Sequence, residues 1–259
     1  MTPGQRKRAF LVGAAGLVIL LIWAVTGLPG FGAYPGPYGP AITRHAVAQT
    51  NATGVVSAIN FEYRGFDTVG EEFILVAAVA GMSVVLRRLR GEKEQPAARE
   101  ELPGGGPATS EAVRVAALAL AGPTAVAGWW LATHAQANPS GGFQGGVLLA
   151  TAFVLVYLSG EVLAFRRISP ASVTEAAEAL GAGGFAAVGV TAVVLGLPYL
   201  DNFLPLGSPG SPGAVTSSGT IALISFLVGV AVAAAFVLVA GELLEQRLLS
   251  SGGTTPGKG

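Results

Sequence analysis

The residues best suited to chemistry in this sequence are acids standing where acids are costly. The run Arg64-Gly-Phe-Asp67-Thr-Val-Gly-Glu71-Glu72 leads directly into an apolar stretch. A charge at membrane depth costs a few kcal/mol, so carboxylates at the mouth of a span point to cation or proton handling. A plainer account is a helix starting near Thr68, with Asp67 as its cap and both glutamates in its first turn. There the positive end of the helix dipole stabilises a carboxylate. That account suits Asp67 and covers the paired glutamates less well. Neighbours on a helix lie about 100° apart, so either Glu71 or Glu72 must turn toward lipid or protein.

A second cluster is Asn138-Pro139-Ser140-Gly141-Gly142-Phe143-Gln144-Gly145-Gly146. So many glycines beside a proline exclude a regular helix entry, and irregular backbone at membrane depth must be buried in protein or line water. The bland alternative is a tight hairpin that lets two helices pack closely. No Gly-Lys-Ser/Thr ending follows, so a phosphate cradle is excluded. His134 stands just before this loop, and histidine is a residue type suited to moving protons. Glu161, beside Arg166 and Arg167, and Glu242 and Glu245, near Arg247, read as interfacial ion pairs. Pro123 is expected to kink its helix, and Trp129 and Trp130 sit where interfacial aromatics do.

The elements that must position these residues are spans. The chain has 259 residues, of which 51% are hydrophobic and only 12% charged, and its mean hydropathy is +0.60. Apolar residues run in blocks of about 20, the length of a membrane crossing, at 9–28, 68–86, 113–133, 143–165, 180–200 and 219–244. The second is the weakest, because its uninterrupted apolar part begins only at Phe73. The first reads as an uncleaved anchor, since its apolar run is longer than a signal peptide's and its end lacks a small-x-small cleavage pattern. With the N-terminus in the cytoplasm, only Arg44 and Arg64 of the 15 Lys and Arg fall outside. That bias predicts an even number of spans with both termini cytoplasmic. The expected fold is therefore an all-α integral membrane protein of about six transmembrane helices, two plus four.

Residues 91–110 read as a charged, Gly- and Pro-rich cytoplasmic linker between a two-span module, 1–90, and a four-span domain, 111–249; residues 250–259 read as a disordered tail. The external segment 30–66 is expected to hold a helix over about 41–61, started by Pro40. Its moderate apolarity suits an interface or a partner's groove better than a seventh span. Residues 208–218 read as an external loop. The formal net charge is zero, which gives no footing for a nucleic-acid partner. Cys is absent and His45 and His134 are the only histidines, so neither a metal site nor a cofactor is expected. No nucleophile–base pair suggests an enzyme.

On these motifs, residues 113–246 resemble MnhB, the B-type component of the Mrp-type multisubunit Na⁺/H⁺ antiporter. The resemblance rests on Asn138, Pro139, Gly141, Gly142, Phe143, Gly145 and Gly146 after a span, followed by Val-Leu-Leu-Ala-Thr-Ala-Phe-Val-Leu-Val-Tyr-Leu. The usual family form is close to His-Pro-Gly-Gly-Gly-Phe-x-Gly-Gly, so Asn138 stands in place of the His and Ser140 in place of a Gly. Residues 51–86 resemble the E-type subunit of membrane-bound hydrogenases, an element that also ends the large A-type component of the antiporter. Its pattern is close to Asp-Tyr-Arg-Gly-Phe-Asp-Thr-x-Gly-Glu. Arg64, Gly65, Asp67, Thr68, Gly70 and Glu71 match, and Glu72 is an extra acid.

The resemblance implies an accessory subunit of a cation/proton antiporter complex in the inner (plasma) membrane. Its partners would be the A-, C- and D-type components and smaller ones, with Na⁺ and H⁺ as the transported ions. The ion-path candidates are then Arg64, Asp67, Glu71, Glu72 and His134. Two alternatives stand beside it: an ion-translocating subunit of a membrane-bound hydrogenase or related respiratory complex, and a purely structural scaffold. No Lys, Asp or Glu is expected at the centre of any span, so the chain is not expected to transport by itself.

Overall fold

The computed structural model describes residues 3–28, 30, 36–86, 110–159, 162–207, 212–215 and 217–251. The linker up to residue 109, Glu161, part of the 208–218 loop and the tail from 252 lie outside the described residues, as do the side chains of Glu245 and Arg247. The chain divides into two compact units, Met1–Ala41 and Ile42–Gly259.

In the first unit α1 (Pro3–Thr26) is a single helix whose described side chains, apart from the half-buried Ala14, are exposed. Its apolar run Lys7–Thr26 has no polar face to present to water, and this suits it to lipid. A short helix, α2 (Tyr38–Thr50), ends this unit and enters the second.

The second unit is built around its last helix. After α2 come one helical turn, α3 (Val55–Ala58), and a π-helical turn (Ile59–Tyr63), which feed directly into α4 (Gly65–Leu86). Then follow α5 (Glu111–Thr133), α6 (Gly142–Leu158), α7 (Val162–Ile168), α8 (Ala171–Val194) and α9 (Thr220–Ser251). α5 runs on through Pro123. α9 takes α6, α8 and α4 against its faces, and its Ile221, Ile224, Val228 and Val232 form the buried centre with Phe61, Phe185 and Leu200.

Among the described residues five helices, α1, α4, α5, α8 and α9, are long and apolar enough to cross a membrane. The remaining expected crossing, 143–165, corresponds to α6, which is apolar, 17 residues long and ends at Leu158, about 26 Å of rise. The chain is a multi-pass helical membrane protein. Three expectations on element bounds are corrected. The helix expected over 41–61 is broken at Asn51, whose φ of +54° ends α2. The fifth span is not 180–200 but Ala171–Val194. The helix stops at Gly196 (φ +80°) and Pro198 although Leu195 and Leu197 are apolar, and it starts ahead of Glu175 and Glu178. Third, the Gly-rich motif does admit a regular helix entry, because α6 begins at Gly142.

Those glycines are helical because they are contact surfaces. A Cβ on Gly145 would lie 2.5 Å from Ala132 N and 2.7 Å from Gly128 O on α5. One on Gly142 would strike Ser225 O, and one on Gly146 would lie 2.7 Å from Gly229 O, both on α9. Glycine thus lets α6 approach two backbones at once, as small residues do between helices in lipid. Gly181 does the same for α8, where a Cβ would meet Ala231 and Leu227 O at 2.7 Å. Gly183, two residues on, faces open space.

The pair makes a test. Gly181→Ala is expected to destabilise the detergent-solubilised chain by ~1–3 kcal/mol through overpacking. Gly183→Ala is expected to be neutral or to stabilise it by ~0.5–1 kcal/mol, as Ala does in a helix. Thermal unfolding of the two variants reads the difference.

Candidate functional site

The break after α2 and the loop after α5 meet in a hydrogen-bonded junction. Gly54 N–H donates to Gln136 O at 2.8 Å, and Thr53 Oγ1 to Ala137 O at 3.2 Å. Ser57 Oγ lies 2.7 Å from Ala135 O and 3.0 Å from Ser140 O. Gly54 has no room for a side chain, since a Cβ would lie 2.6 Å from Asn138 O. Gln136 is fully buried, and its Nε2 donates to Ala214 O at 3.2 Å and Val215 O at 3.1 Å, which ties in the loop before α9. Asn51 is used the same way: its Nδ2 donates to Leu206 O at 2.6 Å, and its own carbonyl accepts from Gly213 N.

This junction sets the start of α6 beside the start of α4, and a cavity of about 460 Å³ opens between them. Glu71, Thr68 and Asn60 line one side, and Gly141, Phe143 and Gln144 the other, over an apolar floor that includes Val228 of α9. The two motifs singled out in the sequence therefore share one cavity. Gly145 and Gly146 lie one turn further along α6 and serve its packing. Asn138 Nδ2 donates to His134 O at 3.3 Å and, with Pro139, shapes the turn rather than lining the cavity.

The acids split as the 100° rule requires, with Glu71 exposed at the cavity and Glu72 turned inward at 2% exposure. Neither Glu72 oxygen has a hydrogen-bond partner among the described residues. Asp67 is not a cap. The π-helical turn starts α4 earlier, at Gly65, so Asp67 lies in the first turn and both glutamates in the second. Its carboxylate is taken by Arg64, whose Nε donates to Oδ2 at 2.6 Å, and this ion pair is half exposed. His134 caps α5; its ring stacks on Trp130 at 5.0 Å and its Nδ1 lies 3.0 Å from Trp130 O. It does not line the cavity.

Several functional side chains were not foreseen. Glu178 is inside a span after all, and its Oε1 is also buried without a partner. Its spacing of three from Glu175 puts both on one helix face, a signal lost because the span was started too late. Gln136 carried no pattern of its own. Glu62, in the π-helical turn, is half-buried and accepts from Asn202 Nδ2 at 3.4 Å. Burial raises the Glu62 carboxyl above its ordinary 4.5; the Asn202 bond opposes the shift and the charge of Asp201 adds to it. Asn202 also accepts from Thr220 N at 2.8 Å, donates to Ser218 O at 2.9 Å, and so fixes the start of α9.

Taken together, the fold and its acidic cavity are those of a multi-pass helical membrane protein whose polar groups gather at helix mouths. Residues 112–238 match the family described as a domain related to the MnhB subunit of Na⁺/H⁺ antiporter. An uncharacterised protein of Methanocaldococcus jannaschii is 30% identical over 218 residues, which cover 76% of this chain and 80% of that one. The chain belongs to this MnhB-related family. A probable A/B-type component of a K⁺/H⁺ antiporter of Rhizobium meliloti is 25% identical over 170 residues, 60% of this chain and 17% of that one. Of solved structures, a chain of the membrane-bound sulfane sulfur reductase, an archaeal respiratory membrane complex, superposes with a TM-score of 0.67 at 25% identity. That match covers 91% of this chain and 98% of the other. A chain of the Mrp complex from Dietzia sp. shares the fold, with a TM-score of 0.65 at 20% identity, covering 92% of this chain and 26% of that one.

The Glu62–Asn202 contact gives a pH test. A carboxyl whose folded pKa is raised contributes stability that is full below 4.5 and is lost as pH rises through the folded value. Glu62→Gln is expected to flatten that decline, by about 1 kcal/mol or less because Glu62 is partly solvated. Unfolding midpoints measured from about pH 4 to pH 8 check this; parallel profiles for the variant and the parent would contradict it.

Proposed function

We propose that this chain is an accessory membrane subunit of a multisubunit cation/proton antiporter complex, in which it supports assembly and lines part of a sodium path. The observation that carries the reading is the shared cavity, where Glu71 of the E-type motif faces Gly141–Gln144 of the MnhB motif. A carboxylate beside hydroxyl and amide groups offers oxygen ligands to a hard monovalent cation, and Asn60, Thr68 and Gln144 supply those groups. The Arg64–Asp67 pair flanks the mouth. The match to antiporter subunits in both sequence and fold supports the same role.

The role is non-catalytic in this reading. Residues 1–90 form the E-type module and 111–249 the MnhB domain, with both termini cytoplasmic, as the distribution of Lys and Arg favours. That orientation puts the cavity at the outer end of α4. Partners would be the complex's A-, C- and D-type components with its smaller ones. A second reading has one observation in its favour: the likeness to a chain of an archaeal respiratory complex extends over 98% of that chain. In that reading the same cavity serves a complex coupled to redox chemistry.

Purification of the tagged full-length chain from its native membrane in mild detergent is expected to bring down large antiporter-like subunits. Redox proteins with iron–sulfur centres among the co-purifying components would favour the second reading. In vesicles holding the whole complex, Glu71→Gln is expected to lower Na⁺-driven pH change by about tenfold, as loss of one charged ligand does. Unchanged exchange with an intact complex would leave the chain a scaffold only.

A further inference from the structure

Glu72 is the most deeply buried ionisable group among the described residues, and the cavity does not use it. It lies seven residues into α4, about 10 Å from the helix start. α4 and α8 run antiparallel where they meet, since Phe66 at the start of α4 stacks edge-on against Tyr199 just beyond the end of α8. Gly65 likewise packs on Leu200. Glu178 is seven residues into α8 from its opposite end. The two acids thus lie toward opposite ends of the helix pair, both inside candidate spans.

The charged groups whose fields reach Glu72 are Glu71 on its own helix and Glu178 on α8; Glu175 in turn acts on Glu178. Among the described residues, the elements packed on α4 add no cation to balance them. α9 has no titratable side chain from Thr220 to Gly241, and the π-helical turn contributes only Glu62 and Tyr63. On α4 itself the further charge in the first turns is Asp67, which pairs with Arg64 just before the helix. Both Glu72 oxygens and Oε1 of Glu178 are buried without hydrogen-bond partners. An ionised carboxylate in that setting has neither solvent nor counter-ion, so the neutral acid is the form this geometry accommodates. Nor do three acidic or imidazole side chains among the described residues converge to hold a metal ion.

We propose that Glu72 is a buried proton-holding site that exchanges its proton with the cavity beside Glu71, within the field of Glu178. In the exchange the O–H bond at Glu72 breaks and one forms on cavity water or on the Glu71 carboxylate, so charge moves and no other group changes. The site gives the sodium cavity a proton-bearing neighbour one residue away. It extends the accessory-subunit reading without depending on which complex the chain joins.

The test uses the full-length chain alone in detergent or in phospholipid vesicles, with dicyclohexylcarbodiimide, an apolar reagent that adds to a protonated carboxyl. Peptide mass spectrometry is expected to find the adduct at Glu72 in preference to Glu71. Labelling should fall as pH rises, because the reagent adds only to the protonated acid. Replacing K⁺ by Na⁺ at constant ionic strength should leave it unchanged. Glu178→Gln should move the midpoint of the Glu72 profile, while Glu242→Gln should not. An unlabelled Glu72, labelling indifferent to pH, a midpoint unmoved by Glu178→Gln, or protection by Na⁺ alone would each overturn the proposal. None of these outcomes depends on co-purification or on ion exchange by the complex.

Discussion

The hydrogen bond from Gly54 N–H to Gln136 O is the contact on which the rest of the second unit depends. A chain in lipid cannot leave a backbone group unpaired, because each one costs several kcal/mol. Two of this chain's helix breaks, after Thr50 and after Thr133, are satisfied by each other. Thr53 and Ser57 hydroxyls donate into the carbonyls of residues 135–140, and Gln136 reaches on to Ala214 and Val215. Three segments far apart in sequence are thereby held at one level. Gly54 is required at the centre, since any Cβ would meet the Ala135 and Asn138 carbonyls.

What that junction positions is a pair of helix starts. α4 begins at Gly65 beneath the buried side chain of Leu200, itself held at φ +67°. Such a left-handed non-glycine residue costs about 1–3 kcal/mol and persists only where its surroundings fix it. α6 begins at Gly142, wedged between α5 and α9 by glycines with no space for a methyl group. With both starts fixed, Glu71 and Gln144 face one cavity, and Glu72 has no direction left except the protein interior. The packing separates the two acids: Glu71 is exposed at the cavity, and its neighbour Glu72 is buried.

Much of this was legible in the residues. Apolar blocks marked the crossings, and the split of Glu71 from Glu72 followed from helix geometry alone. The two clusters that line the cavity both stand out in the sequence, since glycine and acid are the costly residues there. Other features needed three dimensions. The Gly-rich motif looked like a loop because glycine breaks exposed helices. In a lipid-packed interface the same residue is a close-contact surface, and α6 forms. Glu178 was placed before its span because hydropathy alone cannot weigh a buried acid against the stop at Gly196–Pro198. Gln136 left no trace in local pattern at all. Its role lies in partners some 80 residues away.

The central claim, that the break at 51–54 is sealed by the loop after α5, can be tested directly because the chain contains no cysteine. Thr53→Cys and Ala137→Cys would be combined in the full-length chain with a protease site placed in the linker. After mild oxidation and cleavage, the account predicts that the two fragments stay joined on a denaturing gel until a reductant is added. Fragments that separate without reductant, although both thiols react with maleimide before oxidation, would contradict it.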